Sequence, residues 1–456
     1  MRGAKICAKE GTKEMKLKKT LTSLLAAAAM MFAFSAAASA ATVTVGTNGD
    51  YADFNALMTA VQNGNKTLAA GDVIQLASDL EVASTATIPA GYDLVLDMNG
   101  KTINTTVVQG RTFKILSGAK MTVQGNGTIT AKSYGAFDVY GELVIKDGTY
   151  TAVGYDSGHG GGATLRTRTG SKVTIEDGVK IHSEQSGAVY SDGELIAGAC
   201  ELTSTSHNEL QDEFGDSLHS YCVQSVGNGV FTNTTVQGVQ GGLYIGGTAV
   251  INDGTYTAAE LTDGSYTGTK AFYGLYISNG AVLTINDGIF TGGDASKGYC
   301  VLNSDNDVGM DLGSPIVING GTFNGLVGSM DKDKNYAVYG YVINGGTFGI
   351  VTDELSDALA DWKEFDSNGT VVDMNRLDAA EKFLDVSTNE EAGYFFNVTK
   401  DIDENTTAVA SFASESADKQ IKKTLDLSKI EGKGQIEFSI LLLNAPSDIV
   451  GAIIYK

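Results

Sequence analysis

The stretch that decides the fold is Ile251-Asn-Asp-Gly-Thr-Tyr-Thr-Ala258, or INDGTYTA. The chain writes it again as IKDGTYTA at 145–152, INDGIFTG at 285–292, INGGTFNG at 318–325 and INGGTFG at 343–349. A constant word at variable intervals of 20 to 35 residues marks a coil that winds and lets one corner grow loops. Aligning the words, with weaker copies, predicts one inward column of Ile145, Ile175, Ile196, Phe231, Ile251, Ile285, Ile318 and Ile343. Five residues on, an aromatic column follows: Tyr150, Tyr256, Phe290, Phe323 and Phe348. Between the two columns, Asn-Asp-Gly or Asn-Gly-Gly turns the chain. There Asn252, Asn286, Asn319 and Asn344 can form a hydrogen-bonded ladder.

A second strand word precedes each copy: DVYG, TLRT, AVYS, CVQS, GLYIGG, GLYISN, CVLN and AVYG. Two short strands per repeat fit a solenoid of parallel strands, since hairpins would need alternating antiparallel partners. Composition agrees. Gly 57 against Pro 3, with abundant Thr, Val, Ile and Asn, favours strands joined by tight turns.

Residues 1–40 read as a leader. MKLKKTLTSLLAAAAMMFAFSAAASA has a Lys-rich start, an apolar stretch and a small-residue end after Ala40, and Met15 is the expected true start of this signal peptide. No later segment is apolar over a bilayer's width, so the mature chain is expected outside the cell or on its surface, with no membrane insertion. Removing the leader leaves 25 Lys+Arg against 52 Asp+Glu, a formal charge of −27. That charge argues against nucleic acid as a partner and suits neutral sugars, cationic partners or calcium. Cys200, Cys222 and Cys300 remain, an odd number at wide spacing that reads as buried thiols and not as a disulfide framework.

Residues 41–110 read as an N-terminal cap and first coils, with Phe54, Leu57, Met58 and Val61 at helical spacing before the strand-like DVIQLASDL. Residues 111–350 carry the coils. The capping helix, GDVIQL, LVLDMNGKTI and the repeated INGGTF together resemble the right-handed parallel β-helix proteins of the pectate-lyase-like superfamily. They resemble most the group of uncharacterised secreted bacterial surface β-helix proteins. The resemblance covers residues 43–350 and implies the fold. It does not choose an activity, because that superfamily includes lyases, hydrolases, esterases, adhesins and stalks. Residues 351–375, with Trp362, resemble the exit cap or linker of such surface proteins. From 376 to 456, five alternating or apolar strands point to a separate immunoglobulin-like β-sandwich.

Function is expected on the second strand word. The residue after its inward aliphatic points to solvent, and coil by coil it is Tyr140, Arg166, Tyr190, Gln224, Tyr244, Tyr276, Leu302 and Tyr339. Coils ~4.8 Å apart would draw these into a stripe ~34 Å long, the length of several sugar units. Tyrosine faces stack on pyranose rings while the hydroxyl stays wet, so the stripe is a candidate glycan platform; stacked aromatics also stabilise neighbouring strands with nothing bound. Most long insertions precede this word and would wall one edge of the stripe.

The insertions carry His159, Asp212, Glu213 and Asp216, candidates for acid and base work in a glycoside hydrolase. Gly158-His159-Gly160 resembles a motif of the polygalacturonases in that superfamily, but their accompanying Asn-Thr-Asp, Asp-Asp and Arg-x-Lys are not recognisable. A lyase would pair an arginine base with a calcium cluster, and Arg166 and Arg168 share a strand face without flanking carboxylates in the stripe. Asp305, Asp307 and Asp311 in DNDVGMD are the calcium candidates, although the full twelve-residue loop is absent, and no other cofactor is expected. The leading expectation is a non-catalytic secreted or surface protein that binds polysaccharide or cell-surface glycan through the tyrosine-lined sheet. The alternatives are a polysaccharide lyase or glycoside hydrolase using the same groove, and a stalk presenting the C-terminal domain.

Overall fold

A computed structural model describes residues 40–373, apart from 108–109, 133, 154–162, 185, 206–209, 212–216, 219–220, 240, 259–272, 279, 293–298, 305–315, 331–335, 339 and 361–362, and beyond them the backbone of six strands between 388 and 455. The chain is all-β. Three long sheets run side by side along the solenoid: one of 12 strands from Thr42–Val45 to Tyr341–Ile343, and two of 11. One coil shows the plan. Glu142–Ile145 lies in the first sheet, Thr149–Ala152 in the second and Leu165–Thr167 in the third; Lys172–Ile175 then returns to the first sheet and pairs in parallel beside Glu142–Ile145.

Each coil therefore holds three strands, not the two expected. INDGTYTA is a corner: its Ile251 ends the strand Thr248–Ile251 of the first sheet, and its Tyr256 lies in Gly254–Ala258 of the second. Asn-Asp-Gly makes the bend. The corner glycines Gly148, Gly254, Gly288, Gly321 and Gly346 all have φ between 102° and 132°, where a side chain is strained. At Gly254 an added Cβ would also overlap the carbonyl oxygen of Thr234 one coil below.

The core is a set of columns running through the coils. Val123, Ile145, Ile175, Ala197, Phe231, Ile251, Ile285, Ile318 and Ile343 stack in register, all essentially buried. Ile196 was expected in this column and is not: Leu195 and Ala197 face inward and Ile196 outward. Glu194-Leu-Ile-Ala197 offers apolar residues to both faces, and the neighbouring Val173 and Ile175 take Leu195 and Ala197 as partners. The aromatic column holds. Tyr256, Phe290, Phe323 and Phe348 are buried and stacked, with centroids 5.1, 5.0 and 4.5 Å apart and interplanar angles of 12°, 7° and 13°. The Tyr150 and Tyr256 hydroxyls reach back to donate to the carbonyl oxygens of Asp147 and Asp253, at 2.7 and 3.0 Å, which satisfies a phenol inside the core. Outside the same corner the asparagine ladder forms: the side-chain amides of Asn286, Asn319 and Asn344 each donate to the carbonyl of the preceding asparagine at 2.9 Å, and Asn252 donates to Thr232.

Both ends of the stack have further elements against them. The helix Phe54–Gln62, capped by Asp53 accepting from the Ala56 amide, buries Phe54, Leu57, Met58 and Val61, and Phe54 meets Phe113 edge-on at 5.1 Å. At the other end Leu355 of the short helix Asp353–Ser356 is fully buried, the Ala360 amide donates to the Ile343 carbonyl, and Phe365 of the hairpin Lys363–Phe365/Val371–Asp373 caps Phe348 edge-on. Beyond residue 373 the described strands form two antiparallel groups of three: Thr388–Asn389, Gly393–Ile402 and Gly434–Leu442; and Ile421–Leu425, Ala408–Ser414 and Ile449–Tyr455.

Phe290→Ala should cost about 3–5 kcal/mol, because it empties the middle of a stacked column. Asn286→Ala, which removes only exposed amide bonds, should cost about 1 kcal/mol or less. Urea unfolding of the mature chain checks the order, and equal losses would contradict an aromatic core that outweighs the ladder.

Candidate functional site

The third sheet presents the predicted stripe, and its register redraws it. Across the coils the outward residues are Lys114, Asp138, Arg166, Tyr190, Gln224, Tyr244, Tyr276 and Leu302. Tyr140 is displaced. The strand Phe137–Val139 pairs Phe137 with Leu165, so Asp138 lies beside Arg166, and Tyr140 stands just past the strand end. There its ring lies under two cations, Lys114 Nζ at 5.1 Å and the Arg168 guanidinium at 5.2 Å. The shift is by two residues, which keeps every side chain on its own face.

At the far end the stripe also differs. Leu326–Met330 is the strand that continues the sheet, placing Gly328 beside Leu302; Tyr336–Ala337 folds back antiparallel on it. VGSMDKDKN therefore begins inside one strand of the sheet and leads to this antiparallel return, and Tyr339 lies outside the described residues. Two positions expected in solvent are covered: Gln224 is 6% exposed and Leu302 1%. Both sit beside tyrosines in the column, and a ring of that size shades its neighbour one coil away.

What assembles in the middle is a tyrosine cluster. Tyr244 and Tyr276 stack at 5.5 Å and 13°, so part of each ring face is engaged by the other. Tyr221 leans over them, with centroids 5.3 and 5.6 Å away, and its ring fills the space above Gly241, where an added Cβ would overlap it. Tyr273 joins Tyr276 at 5.6 Å. Tyr221 is buried, while Tyr190, Tyr244, Tyr273 and Tyr276 are half-buried. The stripe read from sequence missed Tyr221 and Tyr273, although both occupy the register position two residues before the inward Val223 and Leu275, in YCVQ and YGLY. That shared offset was the available signal.

The other end of the face is charged. Asp138 accepts from Arg168 Nε at 2.9 Å, and the Arg166 guanidinium lies 5.3 Å from the centre of the Tyr190 ring. Among the described residues no group of three His, Cys, Asp or Glu side chains could hold a metal ion. His159, Asp212, Glu213, Asp216, Asp305, Asp307 and Asp311 lie outside the described residues. The connections that would carry the first four join the second sheet to the third, whereas 305–315 joins the third sheet to the first. Cys200, Cys222 and Cys300 are buried and unpaired by disulfides, and burial pushes the thiols of Cys200 and Cys222 up to about 12.

Burial also raises the tyrosines of the cluster: Tyr190 and Tyr273 are pushed up to about 12 from an ordinary value of 10.0. A raised folded value means that their contribution to stability is whole below pH 10 and is lost as pH rises through 12. Thermal melts from pH 8 to 12 should therefore fall above pH 10, and less steeply in Tyr190→Phe plus Tyr273→Phe; an unchanged slope in that variant would contradict the assignment. No protein-family model, curated protein or solved structure matches this chain, and what its own strands establish is an all-β solenoid of three stacked parallel sheets, a parallel β-helix.

Proposed function

We propose that the chain is an exported, non-catalytic β-helix protein that binds glycans through the outer face of its third sheet. The observation that carries this reading is the convergence of Tyr190, Tyr244, Tyr273 and Tyr276 as half-buried side chains on one face, with Tyr221 packed among them. Rings that are partly exposed keep C–H contacts and hydroxyls available to a sugar, and a fixed coil spacing of ~4.8 Å repeats them along a polymer. Because Tyr244 and Tyr276 already share a face, the sugar would lie across the ridge of ring edges and not flat on each ring in turn.

The same reading takes the winding as right-handed and the chain as a secreted or surface relative of the pectate-lyase-like superfamily, on the motifs INGGTF and LVLDMNGKTI and the leader before Ala40. It takes residues 351–375 as an exit cap and the two antiparallel groups beyond residue 388 as an immunoglobulin-like sandwich. Acid–base or lyase chemistry is the competing class, with calcium as the cation a lyase would use.

The mature protein should be retained by immobilised neutral plant, microbial or mucin polysaccharides without shortening them. Tyr244→Ala plus Tyr276→Ala should weaken that retention about tenfold, equivalent to about 1.4 kcal/mol. Blank retention on every polysaccharide would overturn the reading, and release of shortened products would replace it with the enzymatic one.

A further inference from the structure

The charged end of the third sheet is unlike the rest of this acidic chain. Lys114, Asp138 and Arg166 are in register on adjacent coils, Arg168 stands just past the last strand, and Arg111 just before Phe113–Ile115. These five residues bring four positive charges and one negative to a chain whose mature formal charge is −27. Two carboxylates answer them: Asp138 accepts from Arg168, at 2.9 Å from Nε, and Asp192 lies close enough to act on both Arg168 and Tyr190. Arg111 is engaged as well, for it is 7% exposed and donates from Nε and Nη2 to the Ala163 carbonyl oxygen at 3.3 and 3.2 Å. Burial pushes its guanidinium down to about 10, with Arg166 and Arg168 pressing the same way against the pull of Asp138.

Arg166 is left over. It is the ladder neighbour of Asp138, yet among the described residues it makes no ion pair, and its Nε is buried with no hydrogen-bond partner. Among the described residues its guanidinium lies against the face of Tyr190. A buried cationic donor left unmade beside three like charges is costly, and a bound anion removes both costs together. The surroundings suit one: Lys114 and Arg168 lie over the Tyr140 ring from coils on either side of it, so that cations stand on the first and third of three successive coils, with Asp138 and Tyr140 on the coil between.

We propose that Arg166, with Lys114 and Arg168, binds a sulfate or phosphate ester group carried by a glycan whose sugar rings run on over Tyr190 towards Tyr244 and Tyr276. The glycan half rests on the function proposed above; the anion site does not. An ester of sulfuric or phosphoric acid has three free oxygens pointing apart, which matches three cationic side chains arriving from two coils, whereas a carboxylate offers two in one plane. Arg166 and Tyr190 are one coil apart, ~4.8 Å, so a charged substituent and the ring that bears it reach both.

The net charge makes the test sharp, because a polyanion is repelled by the molecule as a whole and held only by local contacts. The mature protein is run through native gels containing dextran, dextran sulfate, a phosphorylated mannan or carboxymethyl dextran, at low ionic strength. Dextran sulfate or the phosphomannan should retard it, and which of them does so identifies the ester; carboxymethyl dextran should act at least fivefold more weakly. Arg166→Gln and Lys114→Gln should each weaken retardation about tenfold without lowering the melting temperature, while Arg166→Lys keeps most of it. No retardation by either ester, equal retardation by the carboxylate polymer, or variants that behave as the parent would overturn the proposal. If Tyr244→Ala plus Tyr276→Ala spares ester binding while Arg166→Gln removes it, the anion site stands without the tyrosine platform.

Discussion

Everything in this molecule depends on the parallel ladder that makes each coil return to the same place. The first sheet holds Val144 over Thr122 and Thr174 over Val144, a register that each coil must close to meet. In five coils a glycine at φ above 100° makes the corner between the first and second sheets, and Tyr150, Tyr256, Phe290, Phe323 or Phe348 wedges it from inside. The asparagine ladder fixes it from outside at far smaller cost in ordered side chains. Aromatic stacking adds about 0.5–1.5 kcal/mol per pair beyond burial, so the run from Tyr256 to Phe348 gives the later coils their tightest section.

Much of this was legible in the sequence because the word itself states the corner. Ile, Asn, Gly and Phe at fixed spacing name the inward residue, the ladder, the bend and the wedge, and helical spacing from Phe54 to Val61 names the buried face of the helix. Position along a strand was less legible. Alternation tells in from out, but a slip of two residues preserves it, so DVYG could set either Phe137 or Val139 against Leu165, and the ladder chose Phe137. Tyr140 left the stripe for that reason. Ile196 failed differently: Leu195, Ile196 and Ala197 are all apolar, so alternation there carried no information. The third strand of each coil went unread because INDGTYTA looks like one strand with a turn, when it is the end of one strand and the body of the next.

The face where function is sought is divided by charge as well as by shape. Tyrosines gather where glycine makes room, as Tyr221 does over Gly241, while the cations gather on the coils before them around Asp138 and Tyr140. Elsewhere the surface pairs its charges across single coil steps, as Lys120–Glu142, Lys172–Glu194 and Lys180–Glu201 do, and exposed pairs of this kind contribute little.

The corner between the second and third sheets, where Ala152 leads to Leu165, Ser204 to Tyr221 and Ala258 to Tyr273, gives the solenoid a margin for change that the corner between the first and second sheets lacks. A connection there can double in length for only about 0.6 kcal/mol of closure entropy, since both of its ends are already anchored in ladders. Evolution can rewrite that margin coil by coil, exchanging one insertion for another as interchangeable modules along a ruler whose graduations do not move.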